Sequence, residues 1–225
     1  MKPKRIFKIK FPNLKDPKLA EFVGILLGDG SLGIYECKSN GKIKLQYRVK
    51  VTLNSIDDKE YVQYVERLIF QLFGLMPIKK FKKNEKVCEL LIFRKDILSF
   101  LIQKVGLRLA PKWKRAIIPS RYLGSRLELN VLRGYFDTDG SVVITKNNGI
   151  LYPRLEMKVS PSPMQKQIIK ILERRKFRFG VYSIGKGKVR IQLNGISQLR
   201  KWIKEIGFKN PKHLKKIAGW GIEPQ

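Results

Sequence analysis

Two phrases of this 225-residue chain share a pattern that could hold a metal ion. The first is Phe22-Val-Gly-Ile-Leu-Leu-Gly-Asp-Gly-Ser31 and the second is Leu132-Arg-Gly-Tyr-Phe-Asp-Thr-Asp-Gly-Ser141. Each has Gly, three residues, then Asp-Gly-Ser after one small residue, which sets Asp29 against Asp139. A single Asp before a Gly is ordinarily a turn residue that bonds local amides. Its duplication within two matching phrases, each leading into a hairpin, asks for more than a turn. Both aspartates fall at the C-terminal end of a helix, where the dipole is negative and a carboxylate is the wrong charge. Parallel packing of the two helices would crowd two carboxylates and several unpaired carbonyls together. Like charges at that range repel unless a cation lies between them. Hard oxygen ligands so arranged suit a divalent ion.

The rest of the inventory narrows the metal. Cys37 and Cys88 are the only cysteines and do not form a Cys-x-x-Cys pair, and His213 is the only histidine. A zinc site built from Cys and His is excluded. Carboxylates and carbonyls remain, and they suit Mg2+. His213 is expected at the surface.

Helices must position the aspartates. Asp16 is a suitable N-cap and Pro17 fits a first helical turn, so a helix is predicted from Leu19 to about Gly28. Its counterpart runs from about Ser125 to Thr138. Gly24 and Gly28 share one helix face, as do Gly134 and Thr138. Small residues there let two backbones approach, with Phe22, Ile25, Leu26, Leu132, Tyr135 and Phe136 buried along the seam.

The residues after each phrase repeat as well. Asn40-Gly41 and Asn148-Gly149 suit tight hairpin turns. Amphipathic helices are predicted near 57–73 and 163–176, strands near 77–83, 87–93, 180–185 and 188–194, and last helices near 96–105 and 197–206. Each half thus reads α-β-β-α-β-β-α. This is an α+β fold, a pseudo-twofold repeat in which each half has a four-stranded antiparallel sheet with helices on one face. Residues 1–106 form the first half, 107–125 a linker with Pro111, Pro119 and Gly124, and 126–225 the second half.

The charge points to the partner. Forty-eight Lys and Arg face eighteen Asp and Glu, for a net charge of +30. Residues 1–110 carry 23 basic and 11 acidic side chains, and residues 111–225 carry 25 and 7. Such a field gathers polyanions, so nucleic acid is the favoured partner. Charge alone fits a ribosomal or chromatin protein equally well. No apolar run is long enough to span a membrane, and the N-terminus lacks a signal-peptide pattern. An intracellular, cytoplasmic location in a prokaryote or organelle is expected.

Strand alternation supports nucleic-acid contact. Lys42, Lys44, Gln46, Arg48, Lys50 and Thr52 point one way, and Ile43, Leu45, Tyr47, Val49, Val51 and Leu53 the other. The apolar set is expected to pack on helices, leaving the polar set, which contains no acid, for phosphates and base edges. Arg154, Glu156 and Lys158 repeat this opposite Leu155, Met157 and Val159. A further strand is predicted to align Lys186, Lys188, Arg190, Gln192 and Asn194.

The two phrases resemble the LAGLIDADG motif, and residues from about 16 to 216 resemble the single-chain, two-motif form of that homing endonuclease family. The second phrase is close to the family pattern. The first places Leu27 where the motif has its first acid, a position distinct from the catalytic one. The resemblance implies that Asp29 and Asp139 are catalytic, with the carbonyls of Gly28 and Thr138 also contacting metal. It implies Mg2+, with Mn2+ able to substitute and Ca2+ bound without supporting cleavage. It implies a monomer that cuts both strands of a long, pseudo-palindromic double-stranded DNA site, leaving short 3′ overhangs. Lys112 and Lys212, in matching places after Gly106-Leu107 and Gly207-Phe208, correspond to the family's basic residues near each cleavage centre. Asn54 is a further polar candidate, with Pro161 as its counterpart. Two alternatives share the fold: an RNA maturase acting on intron RNA, and a non-cleaving DNA-binding regulator. Neither terminus shows a protein-splicing block, so an intein origin is not the expected one.

Overall fold

A computed structural model describes residues 9–39, 41–82 and 85–218. The chain begins with helix α1 (Pro17–Leu27), a hairpin of β1 (Gly30–Ser39) and β2 (Lys42–Asn54), and α2 (Lys59–Phe73). A second hairpin, β3 (Ile78–Lys82) and β4 (Val87–Ile92), leads into α3 (Lys95–Ser99), which continues as a π-helical turn over Phe100–Val105. The second half repeats the order: α4 (Leu127–Asp139), β5 (Gly140–Asn147), β6 (Ile150–Val159), α5 (Pro163–Arg174), β7 (Gly180–Ser183), β8 (Val189–Asn194) and α6 (Ile196–Glu205). A further helix, α7 (Pro211–Ile217), was not expected. Its signal is Asn210-Pro211: the Asn210 side chain caps it by accepting from Lys212 N, and Pro fills its first turn.

Each half holds one antiparallel sheet, in the orders β1-β2-β4-β3 and β5-β6-β8-β7. Two predicted turn features hold where they can be seen. Asn148 and Gly149 have φ of 46° and 80°, and Gly41 has 72°; Asn40 lies outside the described residues. Asp16 accepts from Lys18 N at 2.8 Å and starts α1 as expected.

The helix layer buries Val49, Val51 and Leu53 of β2, and Leu155, Met157 and Val159 of β6. Each such side chain contributes roughly 1.5–3 kcal/mol relative to exposure. The apolar alternation of β2 does not stay buried along its length. Ile43 and Leu45 are 64% and 54% exposed, because the β1–β2 hairpin runs on past the helices that cover its inner part. Alternation reports which face a residue takes, not how far the opposing layer reaches.

The segment predicted as a linker is structured and packs on the second half. Ala116 and Ile118 are buried. Met164 N donates to the Ala116 carbonyl at 3.1 Å, and the Gln167 amide bridges Ile118 N and O at 2.8 and 3.0 Å.

The halves meet along α1 and α4. A Cβ on Gly24 would strike the Val131 carbonyl and come within 2.8 Å of Tyr135 N. One on Gly134 would strike the Glu21 carbonyl oxygen and lie 3.0 Å from Ile25 N. The two backbones therefore touch at reciprocal glycines. At the far end of this seam Glu21, 2% exposed, pairs with Arg133 and accepts from Tyr64 Oη at 2.6 Å. No helix among the described residues is long and apolar enough to cross a membrane.

Candidate metal centre and nucleic-acid interface

The glycine contact brings the C-terminal ends of both helices together. Gly28 caps α1, and a Cβ there would meet the Thr138 side chain and lie 3.4 Å from Asp139 Oδ2. Asp29 comes next, in the turn to β1, its carbonyl accepting from Thr52 N at 3.0 Å. Asp139 is the last residue of α4. The glycine after it serves space rather than a left-handed turn. Gly140 has φ −90°, and a Cβ there would run 2.5 Å from the Phe136 carbonyl. A helix can pass straight into a strand only without that atom.

Burial pushes the Asp29 carboxyl up to about 7, and the neighbouring Asp139 adds to the rise. Asp139 opens to solvent on one side, yet its crowded surroundings also raise it, while Lys112 and Lys212 pull it down. The two carboxyls lose their protons as a pair, and the second proton leaves against the charge of the first. The pair of carboxyls fits a hard divalent cation, whereas the Gly28 carbonyl, expected as a further ligand, accepts from the Lys112 ammonium. No third Asp, Glu, His or Cys joins it among the described residues, so remaining ligands would be carbonyls, water or a bound phosphate. A cation must displace protons to bind. Affinity for Mg2+ or Mn2+ in the DNA-free protein should therefore rise as pH passes up through about 7, in titration calorimetry with release of protons. A pH-independent affinity would show that the carboxyls are already ionised.

Lys112 and Lys212 both lie near enough to the two acids to lower them, but they bond different partners. Lys112 donates to the carbonyls of Leu26 at 3.3 Å, Leu27 at 2.9 Å and, most closely, Gly28. Its ammonium thus caps the negative end of α1, and burial lowers its pKa. Lys212 instead pairs with Asp58 at 2.9 Å. Asp58, 4% exposed, also accepts from Asn210 Nδ2 at 2.8 Å. The position equivalent to Asp58 at the start of α5 is Ser162, so Lys112 meets no such acid.

Sequence reasoning missed this tie because its partners lie far apart in the chain. It also misplaced His213, which is 1% exposed and packs on Phe136 and Phe208. Burial, with Lys212 and Lys216 nearby, lowers its pKa to about 3, so it is neutral. Asp137, fully buried with its pKa pushed up to about 8 by burial, lies 3.9 Å from His213 Nε2. It bonds Lys209 N at 2.8 Å through Oδ2.

The sheet faces away from the helices carry the predicted polar rows. Lys42 and Lys44 are exposed at the hairpin end, and Gln46, Arg48, Lys50 and Thr52 continue the row inward. This face is not free of acid: Glu89 of β4 pairs with Lys50 at 3.1 Å. In the second sheet Arg154, Glu156 and Lys158 share the open face, with Arg154 paired to Glu156 at 3.3 Å. Arg190 lies directly across from Lys158. Gln192 is 7% exposed and donates to Asn194 at 2.6 Å, so it is not a free reader. Lys186 and Lys188 lie in the β7–β8 turn rather than on a strand. Gly185 and Gly187, with φ of 85° and 68°, end the strands there, and Lys188 stands over the Trp113 ring at 5.5 Å. Asn54 spends its amide locally, accepting from Ile56 N and Asp57 N at 2.9 and 3.0 Å and donating to Asp57 at 3.0 Å.

The architecture is a two-sheet protein joined along a parallel helix pair that presents two acids. Among solved structures it matches the LAGLIDADG homing endonuclease I-GzeII in complex with its DNA target (TM-score 0.62, 10% identity, 91% of this chain and 88% of that one). It also matches I-SmaMI bound to uncleaved DNA with calcium ions (0.63, 12%, 90% and 88%) and I-DmoI in complex with DNA and Ca (0.57, 16%, 87% and 91%). The fold is therefore that of the single-chain, two-motif LAGLIDADG homing endonucleases. No family model matches the chain. It is 28% identical over 209 residues to the replication factor C small subunit of Methanocaldococcus jannaschii, covering 89% of this chain and 10% of that protein. It is 30% identical over 129 residues to the DNA polymerase of the same organism, covering 55% and 7%. The chain thus spans a tenth or less of the length of these curated relatives.

Proposed function

We propose that the chain is a site-specific DNA endonuclease that uses Mg2+ to cut both strands of a long, imperfectly palindromic duplex, leaving short 3′ overhangs. The observation that carries this is the pair Asp29 and Asp139 at the touching ends of α1 and α4. These two carboxylates, with the Thr138 carbonyl and, where the Lys112 ammonium moves off it, the Gly28 carbonyl, would hold the metal. When bound, it would supply Lewis acidity at the scissile phosphate and lower the pKa of an attacking water.

The chain's own residues do the rest. The exposed lysines of β2 neutralise phosphates and fix the register of the duplex. The rigid helix pair holds the two acids where charge builds up. Lys112, buried beside both acids, offsets negative charge at the reacting phosphate. The monomer suffices, because its two halves supply the two sides of a pseudo-twofold site. A segment similar to this chain occurs inside two differently named proteins of one archaeon. That distribution supports a mobile reading frame whose product cuts the vacant site.

The test is cleavage of a randomised duplex library with Mg2+ and with EDTA. Enrichment of cut ends from one long sequence, only with Mg2+, is expected. Binding to that sequence should weaken linearly in log K against log salt, because many phosphates are neutralised; a flat response would contradict groove contact by the basic faces.

The unequal lysines give a second prediction. Lys112→Ala should slow cleavage by about 100-fold, the scale for losing one preorganised charge partner. Lys212→Ala should cost several-fold at most, because Asp58 already holds its charge. Equal losses in single-turnover assays would mean that the Asp58 pair opens when DNA binds.

A further inference from the structure

Several polar side chains on the two sheet faces are already spent on partners within the protein. Lys50 is paired with Glu89, Arg154 with Glu156, and Gln192 with Asn194. Of the three arginines on these faces, Arg154 is engaged and Arg48 and Arg190 are not. Among the described residues neither has a carboxylate or hydrogen-bond partner, and each has its Nε buried and unbonded. The terminal nitrogens of each guanidinium are therefore the donors left for a ligand.

Both arginines lie beside a tyrosine of the neighbouring strand, in different registers: Arg48 is across from Gly33, and Arg190 is directly across from Tyr182. The Arg48 guanidinium carbon lies 4.2 Å from the centre of the Tyr35 ring, and that of Arg190 lies 5.5 Å from the centre of the Tyr182 ring. The phenol end of each tyrosine lies over a glycine two residues earlier. A Cβ on Gly33 would strike the Tyr35 ring, and one on Gly180 would lie 2.6–2.8 Å from Tyr182. Gly33-Ile-Tyr35 on β1 and Gly180-Val-Tyr182 on β7 thus share a Gly-x-Tyr pattern, set two residues apart relative to the arginine each supports. A glycine opens a seat, the tyrosine fills it, and its face carries the arginine by cation–π attraction. A guanidinium held flat by an aromatic face loses less rotamer freedom on binding than a free one.

We propose that Arg48 and Arg190 are specificity-determining residues that read guanine, with Tyr35 and Tyr182 as their positioning residues. The inference rests on the proposed binding of duplex DNA. A planar, pre-set fork matches the O6 and N7 acceptors of guanine in the major groove. The exposed lysines, being flexible point charges, suit phosphates instead.

The two arginines are not related by the pseudo-twofold. Ser31 pairs with Lys50 and Ser141 with Glu156, so the residue equivalent to Arg48 is Arg154, which is engaged. Arg190 sits on β8, across from Lys158. The two guanines therefore lie at different distances from the centre of the site, and the target is asymmetric in these positions.

The experiment is selection of bound duplexes from a randomised library by the full chain in Ca2+ without Mg2+, with sequencing of the bound fraction. The wild-type chain should enrich one long site with a guanine-dependent position in each half. Arg48→Ala should erase one of these preferences, and Arg190→Ala the other, each by about 5- to 150-fold. Tyr35→Leu should weaken the same preference as Arg48→Ala, whereas Tyr35→Phe, which keeps the ring, should retain it. Thermal melts confirm that each variant is folded. A uniform loss of binding with every base preference intact would make the arginines phosphate clamps and overturn the proposal, as would loss of preference for another base. A wild-type chain that enriches no site would overturn the proposed function as well.

Discussion

Replacing Asp139 with Asn should abolish double-strand cleavage, by at least about 100-fold, while leaving DNA affinity within a few-fold of the wild type. Asn keeps the shape but cannot supply the anionic oxygen that a divalent ion requires. The binding faces on β2, β6 and β8 are untouched, so filter binding in Ca2+ should scarcely change. Full cleavage by the variant would remove Asp139 from the centre.

The same substitution has a second expected effect, of opposite sign, on the metal-free fold. The folded protein holds the Asp29 carboxyl up to about 7, with burial and then Asp139 as causes, against an unfolded value near 3.8. A carboxyl raised on folding binds protons more tightly in the native state, so stability falls as pH rises from about 4 through 7. Asp139→Asn removes the like charge and should flatten that fall. Without metal, the variant should therefore melt higher than the wild type at pH 8 and similarly at pH 4. Added Mg2+ should narrow the difference at pH 8 by stabilising only the wild type. An unchanged melting profile would show that the carboxylates do not feel each other.

Gly134→Val should be among the most damaging single changes in the helix seam. In an exposed helix interior, exchanging Gly for a residue with a Cβ gains up to about 1 kcal/mol in propensity, and less for a β-branched one. Here the added carbon meets the Glu21 carbonyl and Ile25 N. These are backbone atoms that cannot swing aside. Overpacking of this kind costs about 1–3 kcal/mol, which outweighs the propensity gain and corresponds to a Tm about 2–12 °C lower for a chain of this size. Cleavage should fall further than stability, because separating the helices also separates Asp29 from Asp139. A Gly134→Val protein with unchanged Tm would mean that the helices cross elsewhere.

How much of this could be read from the sequence depended on whether the signal was local. Asp29 and Asp139 were legible because the same phrase occurs twice. The polar rows of β2 and β6 were legible because a strand's period is fixed by its backbone. Ile43 and Leu45 were misjudged because periodicity cannot say where the covering helices end. Lys186 and Lys188 were misjudged although Gly185 and Gly187 marked the turn, since the alternation seemed to continue through them. Lys212 looked like a twin of Lys112 because their flanking residues match. What separates them is Asp58, brought in by tertiary packing, where the second half has Ser162. His213 looked superficial in a basic stretch, because α7, whose Asn210-Pro211 start was available, went unrecognised. The Tyr35 and Tyr182 braces needed coordinates, since a glycine's vacancy is filled by whichever side chain leans over it.

The reciprocal contact of Gly24 and Gly134 leaves the two helix backbones no slack. On the proposed function, it acts as a gauge block: the offset between the two broken phosphodiester bonds is set by how closely two polypeptide backbones can lie. A duplex that does not match that offset cannot be accommodated by the protein spreading apart. The nucleic acid must bend or compress to fit, so base steps that no side chain touches would still be selected for their compliance.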